Sequence, residues 1–447
     1  MAAAGDAWLE RSRASVWHPC TQMKVHERLP LVPLARGDGP WLYDFAGRRY
    51  LDAVSSWWVN LFGHAHPRIV AAVAGQLHTL PHAMLAGFTH APVVELSERL
   101  AALAPGALGH AFYASDGASA TEIALKMSHH YWRNRGKAGK GGFIGLAGGY
   151  HGETLGALSV TDVALFRDAY APLLRAQASV PSPDARAATR DRPARQVAHD
   201  AADALEATLA RTHDEVAALI VEPLVQGAAG MVMYDPEYLR RARELCTRFR
   251  VHLIADEIMT GFGRTGTLFA WEQAMDSAGD ARLGPDFLCL SKGITGGTLP
   301  LSCVLTTDEV YDAFYADDVA HAFLHSHSYT GNPLACRAAL AVLDIFRDDD
   351  VIAANAGKAQ RWRERAAPLA AHPRVRDFRQ RGMILAFEVD TARRDFAPWC
   401  FAAGLERGIL LRPIGRTVYF MPPYVVDDAT FGLLVDATLD IVQQVDA

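Results

Sequence analysis

At 447 residues the chain is long enough for two or three domains around a generous core. Half of it is hydrophobic and 21% is charged, the balance of an ordinary soluble enzyme, which excludes disordered and fibrous classes. A net charge of −6 without a long basic block argues against nucleic acid, and no apolar run reaches the roughly 18 residues that span a bilayer.

Asp6 and Glu10 stand where a secretory signal would carry its apolar core, so no such signal is expected. The cysteines (Cys20, Cys246, Cys289, Cys303, Cys336, Cys400) are scattered with no C-x-x-C pair. That disfavours a zinc site or a disulfide framework and fits a reducing, cytoplasmic setting. Turn residues at 37–40 and 44–47 predict a hairpin of Trp41-Leu42-Tyr43 with Arg49-Tyr50-Leu51. Trp57 and Trp58 precede Gly63-His64; they read either as core plus surface or as the wall of an apolar substrate channel.

From 64 to 325, apolar strand-like runs at 142–146, 217–221, 251–255 and 287–290 alternate with helical patterns, which predicts a mostly parallel sheet covered by helices. The Ala-, Arg-, Asp- and Pro-rich stretch 175–199 breaks that rhythm and reads as a long surface loop or insertion. From 326 onward a helix beginning near Asn332-Pro333 and strands at 383–389 and 417–421 predict a second, smaller domain.

Several motifs carry chemistry. Small residues around Gly117-Ala118-Ser119 lead straight into a helical pattern. A helix start favours an anion through its unpaired N–H groups and its dipole, although most such starts are plain capped helices. Gly149-Tyr150-His151-Gly152 sets an aromatic pair between glycines, where Tyr150 stacks on a flat ring or merely packs in a turn. Gly261-Phe262-Gly263-Arg264-Thr265-Gly266 matches G-x-G-x-x-G, but it stands four residues beyond its strand and opens no evident helix, so a dinucleotide site is rejected. The histidines of His64-Ala65-His66, His129-His130 and His325-Ser326-His327 lack a partner cluster at ligand spacing, and no metal site is expected. Arg412, set among apolar residues, needs a counter-charge, either a substrate carboxylate or a structural acid.

Lys292 is the most informative residue. It follows the apolar run Leu288-Cys289-Leu290, and glycines follow it. Alone, a strand-end lysine reaches solvent; but Val251-His252-Leu253-Ile254-Ala255-Asp256 is an apolar strand ending in a carboxylate. A buried amine that sheds its charge condenses with a carbonyl, and a strand-borne acid suits a pyridinium nitrogen. Together they suggest pyridoxal phosphate.

In order along nearly the whole chain, Gly117-Ala118, Tyr150-His151-Gly152, Asp256-Glu257, 261–266, Lys292 and Gly331-Asn332-Pro333 resemble the class III pyridoxal-phosphate aminotransferases. The resemblance implies an α/β protein of fold type I: a large domain over 64–325 with a mostly parallel seven-stranded sheet between helices, and a smaller α+β domain from segments 1–63 and 326–447. It implies pyridoxal 5′-phosphate as cofactor and a homodimer with the active site at the interface. Lys292 would hold the cofactor as a Schiff base and shuttle protons, and Asp256 would bind the pyridinium nitrogen. Gly117 and Ala118 would hold the phosphate with Ser328 of the partner subunit, and Tyr150 would stack on the ring. Trp57, Trp58, Tyr150, Lys292, Gly331 and Arg412 would contact substrate, Arg412 through its carboxylate.

Within that class, Trp17-His18-Pro19, Ser56-Trp57-Trp58-Val59, Gly63-His64, Arg412-Pro413 and Tyr419-Phe420-Met421-Pro422-Pro423-Tyr424 look like members that pass the amino group of S-adenosylmethionine to 8-amino-7-oxononanoate in biotin synthesis. The implied cycle is ping-pong through pyridoxamine phosphate. Cys20 stands where many members carry an aromatic residue, so other ω-aminotransferase donors (a diamine, β-alanine, lysine) stay open.

Overall fold

The computed structural model describes residues 2–29, 31–275 and 280–446. Seven strands form its main sheet: β1 (His110–Ala114), β2 (Gly142–Leu146), β3 (Ala178–Val180), β4 (Val216–Val221), β5 (His252–Asp256), β6 (Phe287–Leu290) and β7 (Ser302–Thr306). Their spatial order is β1-β7-β6-β5-β4-β2-β3. β6, β5, β4, β2 and β3 pair in parallel, and β7 runs antiparallel to both β6 and β1. Every residue of β4, β5, β6 and β7 is buried, so these strands read as continuous apolar runs and not as alternating ones.

Helix α1 (Gly117–Asn134) lies on this sheet. Its Ile123, Ala124 and Met127 join Ile220, Ile254, Phe287 and Val304 in one buried cluster. Burying each large apolar side chain stabilises the fold by roughly 1.5–3 kcal/mol. Helix α2 (Pro333–Asp348) starts where Asn332-Pro333 predicts: the Asn332 side chain accepts from the amides of Leu334 and Ala335, and proline occupies the first turn, where it sacrifices no bond.

Two predictions need correction. The stretch 175–199 is not one loop: it contains β3, the edge strand of the sheet, and the start of the helix Ala194–Thr212. β3 has only three residues, two of them exposed, too few to show a hydrophobic period. The chain also divides differently near 326. Its contacts separate a unit of 68–356 with 380–383 from one of 1–67, 357–379 and 384–447. Residues 326–356 fall in the first unit because α2 packs there on the helix Ala91–Leu103 and on the turn that begins at Lys292.

The second unit is α+β. The expected hairpin forms, pairing Trp41–Asp44 with Arg49–Asp52, and Ile409–Leu410 adds a parallel strand beside it. Ile384–Val389 pairs antiparallel with Thr417–Phe420, and Trp362 stacks on Phe431 of the helix Asp428–Gln443 at 4.3 Å. Among the described residues no helix is long and apolar enough to cross a membrane.

Candidate active site

Parallel strands deliver their next residues to one edge of the sheet, and in open α/β sheets that edge is where ligands bind. Here β5 ends in Asp256, β6 runs into Lys292, β4 into Glu222, β2 into Tyr150-His151, and β1 into α1. Asp256 is buried; its Oδ2 lies 2.7 Å from His151 Nδ1 and its Oδ1 accepts the Ile258 amide at 3.1 Å. His151 is fixed in turn by its amide, which donates to Thr161 Oγ1 at 3.0 Å. The ring is therefore part of the site and not a packing residue of a turn.

Lys292 sits immediately past β6 with a φ of 44°, the left-handed region that a side chain other than glycine occupies at a cost. It is half-buried, and burial lowers its pKa below the ordinary lysine value. Asp256 and Glu222 oppose that shift by favouring the ammonium. This set gives a nitrogen that loses its proton more readily than a surface lysine and still has acids nearby to charge it.

The expected phosphate cradle is a true helix start. Asp116 caps α1, its carboxylate taking the Ser119 amide at 2.9 Å and hydroxyl at 2.8 Å, which leaves the first amides, those of Gly117 and Ala118, as the donors an anion would meet. The backbone there is close-packed. A Cβ on Gly117 would lie 2.9 Å from Ile258 Cγ2, and one on Gly152, whose φ is 121°, would lie 2.5 Å from Ala118 Cβ. Tyr150 is half-buried; its hydroxyl donates to Glu153 Oε1 at 2.9 Å and its ring lies 5.3 Å from that of Phe166. A buried acid, a pKa-lowered amine, helix-start amides and a half-open aromatic face fit pyridoxal phosphate.

Gly331 is buried with a φ of 62°; a Cβ there would lie 2.5 Å from Leu85 Cδ1, and its carbonyl is 2.9 Å from His90 Nε2. Ser328, by contrast, is exposed, between the exposed Leu324 and Tyr329. His325 and His327 approach Nε2 to Nε2 at 3.0 Å, but no group of three metal-ligating side chains exists among the described residues. The 261–266 loop opens no helix; the side chain of Glu257, which precedes it, accepts the amides of Ala270 and Trp271, which follow it, each at 2.7 Å.

Trp57, Trp58 and Arg412 belong to the second unit. Residues Ser55, Ser56, Trp57 and Trp58 have φ values of 51°, 47°, 72° and 74°, one turn of left-handed backbone built without glycine. Asp52, fully buried, holds it: its Oδ1 accepts the Ser56 amide at 2.8 Å, and its Oδ2 the Ser56 hydroxyl at 2.7 Å and meets His64 Nε2 at 3.0 Å. Ser55 donates to the Met421 carbonyl at 2.7 Å, and Trp58 Nε1 donates to the Tyr419 hydroxyl at 3.0 Å. Burial raises the Tyr419 pKa to about 12, so it stays a neutral partner. Trp57 is 40% exposed, with the Arg412 guanidinium stacked 4.3 Å from its ring centroid. Among the described residues no carboxylate pairs with Arg412.

Sequence reasoning missed Glu222 and Asp52. Glu222 directly follows an all-apolar strand, the very signal that singled out Asp256. Nothing local marks Asp52 as a clamp, because its partners depend on a backbone turn that Ser-Ser-Trp-Trp does not advertise.

A model of the class III aminotransferases matches residues 22–443. The adenosylmethionine-8-amino-7-oxononanoate aminotransferase of Helicobacter pylori is 42% identical over 437 residues, 96% of each chain. Among solved structures, the aminotransferase of the same name from Methanocaldococcus jannaschii superposes with a TM-score of 0.92 at 33% identity, covering 99% of this chain and 100% of the other. An omega transaminase from Pseudomonas jessenii in complex with PMP superposes with a TM-score of 0.90 at 27% identity and 98% coverage of both.

Proposed function

This chain belongs to the class III aminotransferase family, and on that premise we propose that it moves the amino group of S-adenosylmethionine to 8-amino-7-oxononanoate, giving 7,8-diaminononanoate for biotin synthesis. The observation that carries the acceptor is the Arg412–Trp57 stack: a guanidinium with an aromatic wall and, among the described residues, no paired acid, suited to a carboxylate at the end of an aliphatic chain. Relatives bearing that activity in their names align over essentially the full length, which supports the same reading.

Bound pyridoxal phosphate supplies an electron sink that lets a C–H bond beside the transferred nitrogen ionise. The chain's residues supply the rest. Gly117 and Ala118 amides take the phosphate, joined by Ser328 of the partner subunit, and the exposure of Ser328 leaves it available to a second copy. Asp256, oriented by His151, would accept a hydrogen bond from the protonated ring nitrogen and keep it charged, and Tyr150 would cover one ring face. Lys292 takes a proton from one carbon and returns it to another, a task for which burial, by lowering its pKa below that of a surface lysine, suits it. Trp57 and Trp58 line the path of the aliphatic chain, Arg412 grips its end, and Gly331 adjoins the substrate. The two half-reactions form a ping-pong cycle in a cytoplasmic homodimer.

Purified protein given pyridoxal phosphate, S-adenosylmethionine and 8-amino-7-oxononanoate should yield diaminononanoate by mass spectrometry. Product from lysine, a diamine or β-alanine but none from S-adenosylmethionine would overturn the donor; no product from any donor would overturn the acceptor.

A further inference from the structure

A second carboxylate stands at the sheet edge with no role assigned so far. Glu222 follows β4 directly and is 6% exposed. Its Oε1 accepts the Tyr150 amide at 3.0 Å and its Oε2 accepts the Gly227 amide at 2.9 Å. Its own carbonyl takes the Tyr234 hydroxyl at 2.6 Å. Two backbone donors aimed at two oxygens call for a carboxylate; an amide in its place would turn an N–H toward one of them.

The surroundings make this more than a structural tie. Burial pushes the Glu222 pKa up to about 7, countered by His151 and reinforced by the negative charge of Asp256. Its negative charge in turn favours the ammonium form of Lys292. Tyr234, bonded to the Glu222 carbonyl, feels the charge of both Glu222 and Glu257. An acid this deep is retained at a cost unless its charge or its register is used.

We propose that Glu222 is a positioning residue for the cofactor end of the site, registering the Tyr150 backbone against the ring plane and setting a second negative charge opposite the Lys292 nitrogen. The proposal rests on the reading of Lys292 as the residue that joins the cofactor. It explains why a second buried acid is held on the Tyr150 and Gly227 amides when only Asp256 is needed for the ring nitrogen.

Full-length Glu222→Gln and Glu222→Asp variants separate charge from register. Each is stripped of cofactor and titrated with pyridoxal 5′-phosphate, following the visible absorbance of the lysine-bound form, its pH midpoint and the thermal midpoint of the apoprotein. Glu222→Gln should weaken cofactor binding about tenfold and lower the pH midpoint by about one unit, since a negative charge near the nitrogen is gone. Glu222→Asp should keep the midpoint while loosening the cofactor, because the shorter acid withdraws from Tyr150. If Glu222→Gln alters only the thermal midpoint, Glu222 is merely structural and the proposal fails. If it does not fold, unchanged cofactor affinity in Glu222→Asp overturns the register and a moved midpoint there overturns the charge. Lys292→Ala is the control: a surviving absorbance titration would defeat the underlying reading instead.

Discussion

The two polar constellations of this protein are built by opposite means. At the sheet edge, Asp256, Glu222 and Lys292 are buried or half-buried groups placed by the ends of parallel strands, and the sheet itself fixes their spacing. Around Trp57 the backbone is a left-handed turn that no sheet dictates, held by Asp52 and two serines, and its indole is partly exposed. Charge in a rigid frame suits bond-making, where an error of an ångström is expensive. An aromatic wall on a clamped turn suits recognition, where the wall can be exchanged while the frame stays.

Mutations should fall along that divide. Lys292→Ala is expected to lower turnover more than about a thousandfold with little loss of fold, read from single-turnover rates and the missing visible absorbance. Asp256→Asn should cost about a hundredfold in kcat, since a preorganised charge is removed from the site. Arg412→Ala should raise KM for the carboxylate-bearing acceptor by roughly ten- to a hundredfold while leaving kcat with an uncharged ketone nearly unchanged. An equal loss on both acceptors would erase the proposed contrast. Asp52→Asn should lower stability by about 1–2 kcal/mol through the clamp, measured as thermal midpoint, with KM affected more than kcat. The smallest effect is expected at Glu257, whose carboxyl burial pushes up to about 8. A folded-state pKa above the unfolded one gives stability that is present at low pH and lost as pH rises through about 8; Glu257→Gln should flatten that slope in denaturant titrations across this range.

Much of the proposed cofactor end is legible in the sequence because it is written in strands. An apolar run with a charged residue after it reports both the element and the edge at which it ends, which is why Asp256 and Lys292 stood out. Glu222 carried the same mark and was passed over for want of a motif around it. The β3 edge strand was lost because three residues, mostly exposed, carry no period. The Asp52 clamp was illegible for a deeper reason: its geometry depends on positive φ at serines and tryptophans, which local propensity disfavours and only tertiary bonds impose.

That turn also complicates any attempt to redesign the proposed substrate wall. Each residue held in left-handed backbone without glycine costs about 1–2 kcal/mol. Replacing Trp57 by alanine removes an indole and keeps the strain; replacing it by glycine removes the same indole and releases part of the strain. The two cavities would be nearly alike, so a difference in stability between the variants meters the backbone alone. Substrate scope gained through glycine at this position would owe something to a relaxed hinge as well as to an emptied pocket.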